Sequence, residues 1–450
     1  MENGSRSAAE AGWRLSRYNL AAKLPGTSQT VIANLYRGTC GVFADLELEL
    51  MQDLTDLDAQ NPLVERWSSR GLIVRFDERA AIETMGRGVC TDPTSVRLTI
   101  CPTIGCNFDC PYCFETHKPG KMSLQVQDDI AALAERMLDA SKAKIFSVTW
   151  FGGEPLLAPD VIESLSERLM RICEERDVKY SASIITNGYL LTEEIAQMLD
   201  RVKVNNAQVT LDGLGSTHDA TRHLAGGGPT FERITENLRR PGLPFSVDIR
   251  HNVYEGNLQE VEQLREFVEA LSKESGNRLH YYSATVSASD TADERGKQVA
   301  LLCESEEAGI GMKIGADRFE RGRGHFCGAQ SLWCIGIDEL GNLHKCWENM
   351  DKRELSFGRA ADWDPKDPLA TAGNPDGLTA FLNTACPTGD PECDECIWLP
   401  QCRGGCPYQR LAGRRRCVPY REDPEGFVLA LYRRMKEQQA KKNGGASPKK

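Results

Sequence analysis

Cys106-Asn107-Phe108-Asp109-Cys110-Pro111-Tyr112-Cys113 sets three cysteines at C-x3-C-x2-C spacing, directly after the apolar run that ends Leu98-Thr99-Ile100-Cys101. Three thiolates on one short loop can hold three irons of a four-iron, four-sulfur cluster and leave the fourth open to a ligand that is not protein. A structural zinc site wants a fourth protein ligand and usually pairs two C-x2-C hooks. Here the spacing is tight and the neighbours Tyr112 and Phe114 are aromatic. Taken alone, the triplet leaves zinc and chance open.

The rest of the chain narrows the reading. Its 450 residues suit two or three domains, and 40% hydrophobic content is enough for a sizeable core. Seventeen cysteines are many for this length. No apolar signal region follows Met1-Glu2-Asn3-Gly4 and no run is long enough to span a membrane, so a cytoplasmic, reducing setting is expected, in which clustered cysteines suggest metal before disulfides. A net charge of −11 argues against broad nucleic-acid binding. The basic end, residues 436–450, reads as a disordered tail.

From Val96 onward, short apolar runs alternate with amphipathic ones. Val96–Cys101, Ile145–Phe151, Ser181–Ile185, Ala207–Leu211, Ser246–Val253 and His280–Val286 read as strands. Asp129–Leu138, Asp160–Arg176, Thr192–Asp200, Phe231–Arg239 and Leu258–Leu271 read as helices between them. Repeated βα units imply a parallel sheet with helices outside, either a partial barrel or an open doubly wound sheet. Chemistry in such folds collects at the carboxyl ends of the strands, where the cysteine loop lies. Equivalent positions carry Phe151-Gly152-Gly153-Glu154-Pro155, Thr186-Asn187-Gly188 and Val209-Thr210-Leu211-Asp212-Gly213 with His218, Asp219 and Arg222 beyond. Two adjacent glycines let backbone approach a ligand closely, although a plain strand-to-helix turn would use them too. An arginine suits a carboxylate partner, or an ordinary surface ion pair.

The cysteine loop resembles that of the radical S-adenosylmethionine (SAM) superfamily. In that family the open iron is chelated by the amino and carboxylate groups of SAM, and an electron from the cluster splits SAM into methionine and a 5'-deoxyadenosyl radical. The resemblance assigns Cys106, Cys110 and Cys113 to the catalytic cluster. It places Gly152, Gly153 and Glu154 at the methionine amino group and makes Thr210 and Arg222 SAM contacts. Arg250, on the fifth strand, is either a further contact or structural.

A second pattern is carboxy-terminal: Cys327, then Gly341 and Cys346, then Cys393-x2-Cys396-x5-Cys402-x3-Cys406, and finally Cys417. This order resembles the SPASM extension of radical SAM enzymes, a small loop-rich region that folds around its metal. The resemblance implies two auxiliary four-iron clusters, one on Cys327, Cys346 and Cys406, the other on Cys393, Cys396, Cys402 and Cys417. Cys334 is the natural fourth ligand of the first; without it an iron would be open to a substrate thiolate. Cys40, Cys90, Cys101, Cys173, Cys303 and Cys386 read as small apolar fillers.

The expected architecture is therefore α/β: a partial (βα)6 TIM-like radical SAM barrel over residues 95–310, preceded by a small α/β module over 1–94. A loop-rich, iron–sulfur-binding SPASM domain over 311–435 follows. In the amino-terminal module, Thr30–Leu35, a helix-like Leu46–Leu57, Leu63–Trp67 and Gly71-Leu72-Ile73-Val74 stand out. It would either bind a leader peptide by strand addition or cover the barrel. The resemblance implies a peptide maturase with three [4Fe–4S] clusters and SAM. It would act on a cysteine-containing, leader-bearing precursor and take electrons from a flavodoxin or ferredoxin. The leading product is a ranthipeptide-type thioether from a cysteine sulfur to carbon. The rival within the family is the anaerobic sulfatase maturase, which makes formylglycine and has an Asp after the cysteine of the Gly-x4-Cys motif; here Trp347 and then Glu348 follow Cys346. Outside it, a zinc scaffold or a pure electron-transfer protein remains.

Overall fold

The computed structural model describes residues 6–286, 319, 326–387, 389–415, 417–418 and 420–444. Cys303 and the expected 310/311 boundary lie outside them. The chain opens with β1 (Arg14–Leu15), β2 (Asn19–Lys23), β3 (Gln29–Asn34), β4 (Thr39–Ala44), α1 (Asp45–Gln52), α2 (Pro62–Ser69), β5 (Ile73–Val74) and α3 (Glu78–Thr91). Strands β2, β3 and β4 form an antiparallel sheet, and β1 pairs with β5. The helix expected over Leu46–Leu57 stops at Gln52, because the Asp53 carboxylate turns back to accept the Thr55 amide at 3.0 Å and offers the backbone an alternative to another helical turn. One face of the module closes over Ile32, Phe43, Met51, Trp67 and Ile73.

The central sheet is built from β6 (Ser95–Ile100), β7 (Ile145–Trp150), β8 (Lys179–Thr186), β9 (Val204–Thr210), β10 (Ser246–Val253) and β11 (Leu279–Thr285). These six pair in sequence order and all in parallel. Because the order never reverses, the sheet is a partial barrel and not a doubly wound one. Helices α4 (Leu124–Ala140), α5 (Pro159–Glu174), α6 (Glu193–Arg201), α7 (Ser216–Thr221), α8 (Phe231–Arg239) and α9 (Val261–Ser275) fill the crossovers. Apolar side chains at helical spacing explain their docking: Ile130, Leu133, Ala134, Met137 and Leu138 of α4 are all buried. The stretch expected to begin a helix at Leu258 instead starts with a tight turn, Glu255–Glu260, and turns α-helical at Val261.

Beyond β6 the sheet continues with β12 (Cys334–Ile337), parallel to β6, then β13 (Asn342–His344) and β14 (Gly358–Arg359), both antiparallel. The carboxy-terminal region is thereby stitched into the barrel's own sheet: Cys334 pairs with Arg97 and Ile337 with Ile100. The last helix, Pro424–Gly444, packs Phe427, Val428 and Leu431 against Leu20, Val31 and Ala33 of the amino-terminal sheet and against Trp398. Its length corrects the expected disordered tail, since residues 436–444 are helical. Among the described residues no helix is long and apolar enough to cross a membrane.

Candidate functional site

Every loop singled out in the sequence emerges at the carboxyl edge of the barrel strands. The cysteine loop leaves β6, the Gly152-Gly153 turn leaves β7 and Asn187-Gly188 leaves β8. Register holds them level, with Ile100 beside Trp150, Trp150 beside Ile184 and Thr186 beside Val209. Thr210 ends β9 directly beside Arg250 of β10.

Hydrogen bonds then lace the loops together. The Glu154 amide donates to Gly105 O at 2.8 Å. The Glu154 side chain is fully buried and accepts from Leu156 N (2.9 Å), Thr186 Oγ1 (2.8 Å) and Asn187 N (2.7 Å). Its carboxylate thus joins the glycine turn to the loop after β8. Asn187 Nδ2 donates to Asn107 Oδ1 at 2.7 Å, and the Asp109 and Ala225 amides cross-link the cysteine loop to the segment after Arg222.

The two glycines are required by close approach. Gly152 sits at φ +112°, and a Cβ there would lie 2.3 Å from Thr103 O; a Cβ on Gly153 would lie 2.4 Å from Gly105 O. Gly153→Ala must push these backbones apart, so we expect SAM-dependent activity to fall at least about tenfold through misplacement of the loop, checked by SAM binding together with 5'-deoxyadenosine yield.

Cys106, Cys110 and Cys113 are all half-buried thiols on one loop. Burial is the main force on each: it pushes Cys106 up to about 12, raises Cys110 and raises Cys113 well above the usual thiol range. Thiols this reluctant to ionise are poor free nucleophiles but suit a bound metal, whose charge deprotonates a coordinating thiol outright. The Phe108 amide already points at Cys106 Sγ from 3.4 Å. A cleft of about 380 Å³ opens beside Cys106, lined also by Thr103, Gly105, His117 and Lys118. Among the described residues no three His, Cys, Asp or Glu side chains close on one point as around a single ion. Three thiols on one loop, the first of them beside an open cleft, are the donor set that a cluster with a free corner would need.

Below the loop lies a buried polar network, only part of which belongs to the motifs. Tyr112 OH donates to Asp212 Oδ2, and receives Arg222 Nη1 at 3.0 Å and Asn252 Nδ2 at 3.3 Å. Thr221 Oγ1 adds a 3.0 Å bond to Asp212, whose amide bonds His218 Nδ1 at 3.2 Å. Arg222 is 8% exposed and lies over the Phe108 ring at 5.7 Å. Its Nε and Asp212 Oδ1 are buried with no hydrogen-bond partner among the described residues. Burial drives the Asp212 carboxyl up while Arg222 pulls it down. Arg250 spends its Nε on Asn252 Oδ1 at 2.7 Å.

The carboxy-terminal cysteines form two groups. Cys393, Cys396, Cys402 and Cys417 line one cleft with Arg410, Arg415 and Arg421. Arg421 Nη1 reaches Cys417 Sγ at 3.3 Å and Arg410 Nη1 reaches Cys393 Sγ at 3.6 Å. Burial first, then Cys417, Cys393 and Cys396, push the Cys402 thiol up to about 11. Trp398, Tyr420 and Phe427 pack beneath this cleft with ring centroids 4.4 to 5.1 Å apart. In the other group, Cys346 and Cys406 each feel Cys327 and Glu348, and Cys327 feels Cys334. Cys101 contacts Met350 at 3.0 Å between sulfurs and is fully buried, as a filler would be.

The two ends of the site meet through aromatic rings. Phe114, next to Cys113, stacks on Phe151 at 6.4 Å and 12°, and Phe151 stacks on Trp347, next to Cys346, at 5.5 Å and 24°. Beside this stack Glu115 is buried, and burial, with Asp351 and Glu339 adding to it, pushes its carboxyl up to about 8.

Comparison with known proteins agrees with this geometry. Residues 100–295 match the family model of the Radical SAM superfamily. The AdoMet-dependent heme synthase of Methanosarcina barkeri is 29% identical over 206 residues, 43% of this chain and 52% of that protein, so the chain spans about half that relative's length. The cysteine-type anaerobic sulfatase-maturating enzyme of Clostridium perfringens is 23% identical over 350 residues, 71% of this chain and 89% of that one. The solved structure of native anSMEcpe with bound AdoMet and Cp18Cys peptide shares the fold at a TM-score of 0.58 and 20% identity, across 76% of this chain and 98% of that chain. With the cysteine loop, the glycine turn and the barrel in register, residues 100–295 are a radical SAM domain.

Proposed function

We propose that this enzyme matures a ribosomally made peptide by joining a cysteine sulfur to carbon. The observation that carries the reading is the aromatic stack Phe114–Phe151–Trp347, which runs from the Cys106/Cys110/Cys113 loop to the carboxy-terminal cysteines and leaves Trp347 47% exposed. Cys106, Cys110 and Cys113 would hold the SAM-binding cluster, with the backbone of Gly152 and Gly153, and Thr210 and Arg222, around SAM. Cys327, Cys334, Cys346 and Cys406 would hold one auxiliary cluster, and Cys393, Cys396, Cys402 and Cys417 the other.

When bound, the SAM-binding cluster with SAM supplies a hydrogen-atom abstraction, and the auxiliary clusters supply an electron sink. The chain's own residues bind, orient and exclude water. Thr210 offers a hydroxyl at the end of β9 and Arg222 a cation just after α7; the Glu154 amide ties the glycine turn to the cysteine loop. Over the reaction the peptide gives up one hydrogen atom from carbon, and a proton and an electron from the thiol, as the sulfur–carbon bond forms. The electron donor is a low-potential carrier of the flavodoxin or ferredoxin class. The amino-terminal module offers the β4 edge, which has no second strand partner among the described residues, as the place where a leader peptide would add.

Formylglycine formation is the second reading, favoured by the extent of the match to the sulfatase-maturating enzyme. At the position after Cys346 an indole presents an apolar wall and no base. Anaerobic incubation with cysteine-containing precursor peptides separates the two by mass: a thioether removes two hydrogens, whereas formylglycine exchanges the thiol for an aldehyde. A product of the second kind would overturn the thioether reading. Trp347→Ala should cut peptide modification about tenfold, the worth of one aromatic contact of about 1–1.5 kcal/mol, while leaving peptide-independent 5'-deoxyadenosine formation in place. Equal loss of both would remove Trp347 from the peptide site.

A further inference from the structure

The cleft beside Cys106 has Thr103, Gly105, Lys118, Lys121 and Leu157 in its lining, and none of Gly152, Gly153, Glu154, Thr210 or Arg222. It therefore reaches the cysteine loop without passing the residues proposed for SAM. Its wall meets two of the three thiols: Cys106 lines it, and His117, also in the lining, holds Nε2 3.5 Å from Cys113 Sγ. Hydrogen bonds fix that wall, since Thr103 Oγ1 donates to Gly120 O and accepts from Gly105 N at 3.0 Å. Residues 116–127 contain Lys118 and Lys121 and no Asp or Glu, in a chain whose net charge is −11. Lys121 Nζ is 2.6 Å from Asp160 Oδ2, whereas Lys118 is exposed and pairs with no acid among the described residues. Leu157, in the same lining, is 45% exposed.

We propose that this cleft is the docking surface of the one-electron carrier, a small protein that presents carboxylates around its redox cofactor, with Lys118 as the principal contact. The inference rests on Cys106, Cys110 and Cys113 holding the SAM-binding cluster. Their electron has to arrive from outside while SAM is bound, and a surface that shares no residue with the SAM contacts can be covered without displacing SAM. A peptide substrate belongs elsewhere, because the hydrogen it yields must come within reach of SAM. Lysines beside an exposed leucine suit a brief encounter: charge steers and orients the acidic face, and a small contact area keeps the complex short-lived. In the transfer the carrier loses one electron and the site on the cysteine loop gains it, with no bond made or broken.

The probe is a purified FMN flavodoxin, added to the reconstituted full chain without oxygen. Binding is read from flavin fluorescence, and 5'-deoxyadenosine is measured twice, with reduced flavodoxin and with dithionite as the sole reductant. Reversing a charge at the edge of an interface changes association and its salt dependence, so Lys118→Glu is expected to weaken flavodoxin binding and flavodoxin-driven cleavage about tenfold at low salt. Its iron content and dithionite-driven cleavage are expected to match the wild type. Lys118→Arg, which keeps the charge, is expected to bind flavodoxin as the wild type does. Unchanged affinity in Lys118→Glu overturns the proposal, and so does an equal loss with both reductants, which would place Lys118 at SAM or the peptide. If Lys118→Glu does not fold, Lys118→Ala carries the test: a smaller loss of binding that vanishes at high salt supports the proposal, and no loss overturns it. A wild-type chain that makes no 5'-deoxyadenosine with dithionite refutes the cluster reading and takes the proposal with it. Indifference to Lys118 in a chain that does cleave SAM overturns the proposal alone.

Discussion

Cys110→Ala is expected to abolish 5'-deoxyadenosine formation from SAM while the carboxy-terminal cysteines still take up iron. The loss should exceed the roughly 10–100-fold cost of removing an outer partner of a metal site, because on the proposed reading Cys110 is itself a ligand. Cys110 lies on the β6–α4 loop, whereas Cys327 to Cys417 lie on separate segments anchored by β12, by Trp398 and by the last helix. With the three clusters proposed, iron per chain should therefore fall by about one of them. Retained cleavage would remove Cys110 from the catalytic set. Loss of all iron would mean that the two regions fold as one unit.

Arg222→Met carries the second large effect. Arg222 and Asp212 are both buried, and they are joined through Tyr112 OH with Thr221 and Asn252 completing the network. Removing the guanidinium takes from the buried Asp212 carboxyl the stronger of its two cations, leaving Arg250, and takes a bond from Tyr112 OH, a loss of about 1–3 kcal/mol by the usual cost of leaving a buried polar group unsatisfied. Asp212 is raised by burial and lowered by Arg222, so the variant should hold this carboxyl protonated further up the pH scale. The midpoint of chemical unfolding reads the stability term and SAM affinity reads the site term. Arg222→Lys keeps the charge but not the planar fork, and should recover stability more than SAM affinity. A wild-type unfolding midpoint in Arg222→Met would contradict the network as described.

The sequence carried the barrel because its period-2 and period-3.6 patterns are local, and each strand from β6 to β11 announced itself in its own residues. The cysteine loop and the glycine turn were legible for the same reason. The pairing of β12 with β6 was not: Cys334–Ile337 is four residues long and finds its partner more than 200 positions away. The helical end was hidden by composition, since Lys436 to Gly444 has no apolar stripe and continues a helix held by Phe427, Val428 and Leu431. Glu115 was visible as a letter, but its meaning depends on burial, which spacing does not report. Asp212 reads locally as part of a turn, whereas its bond to Tyr112 spans 100 positions.

The most direct test is chemical. The reconstituted full chain, kept free of oxygen and given SAM with a strong reductant, is assayed for 5'-deoxyadenosine by mass spectrometry, with and without a cysteine-containing precursor peptide. The account predicts 5'-deoxyadenosine from the intact chain, none from Cys110→Ala, and a peptide lighter by two hydrogens when a matching precursor is present. Full iron loading with no 5'-deoxyadenosine under either condition would contradict it.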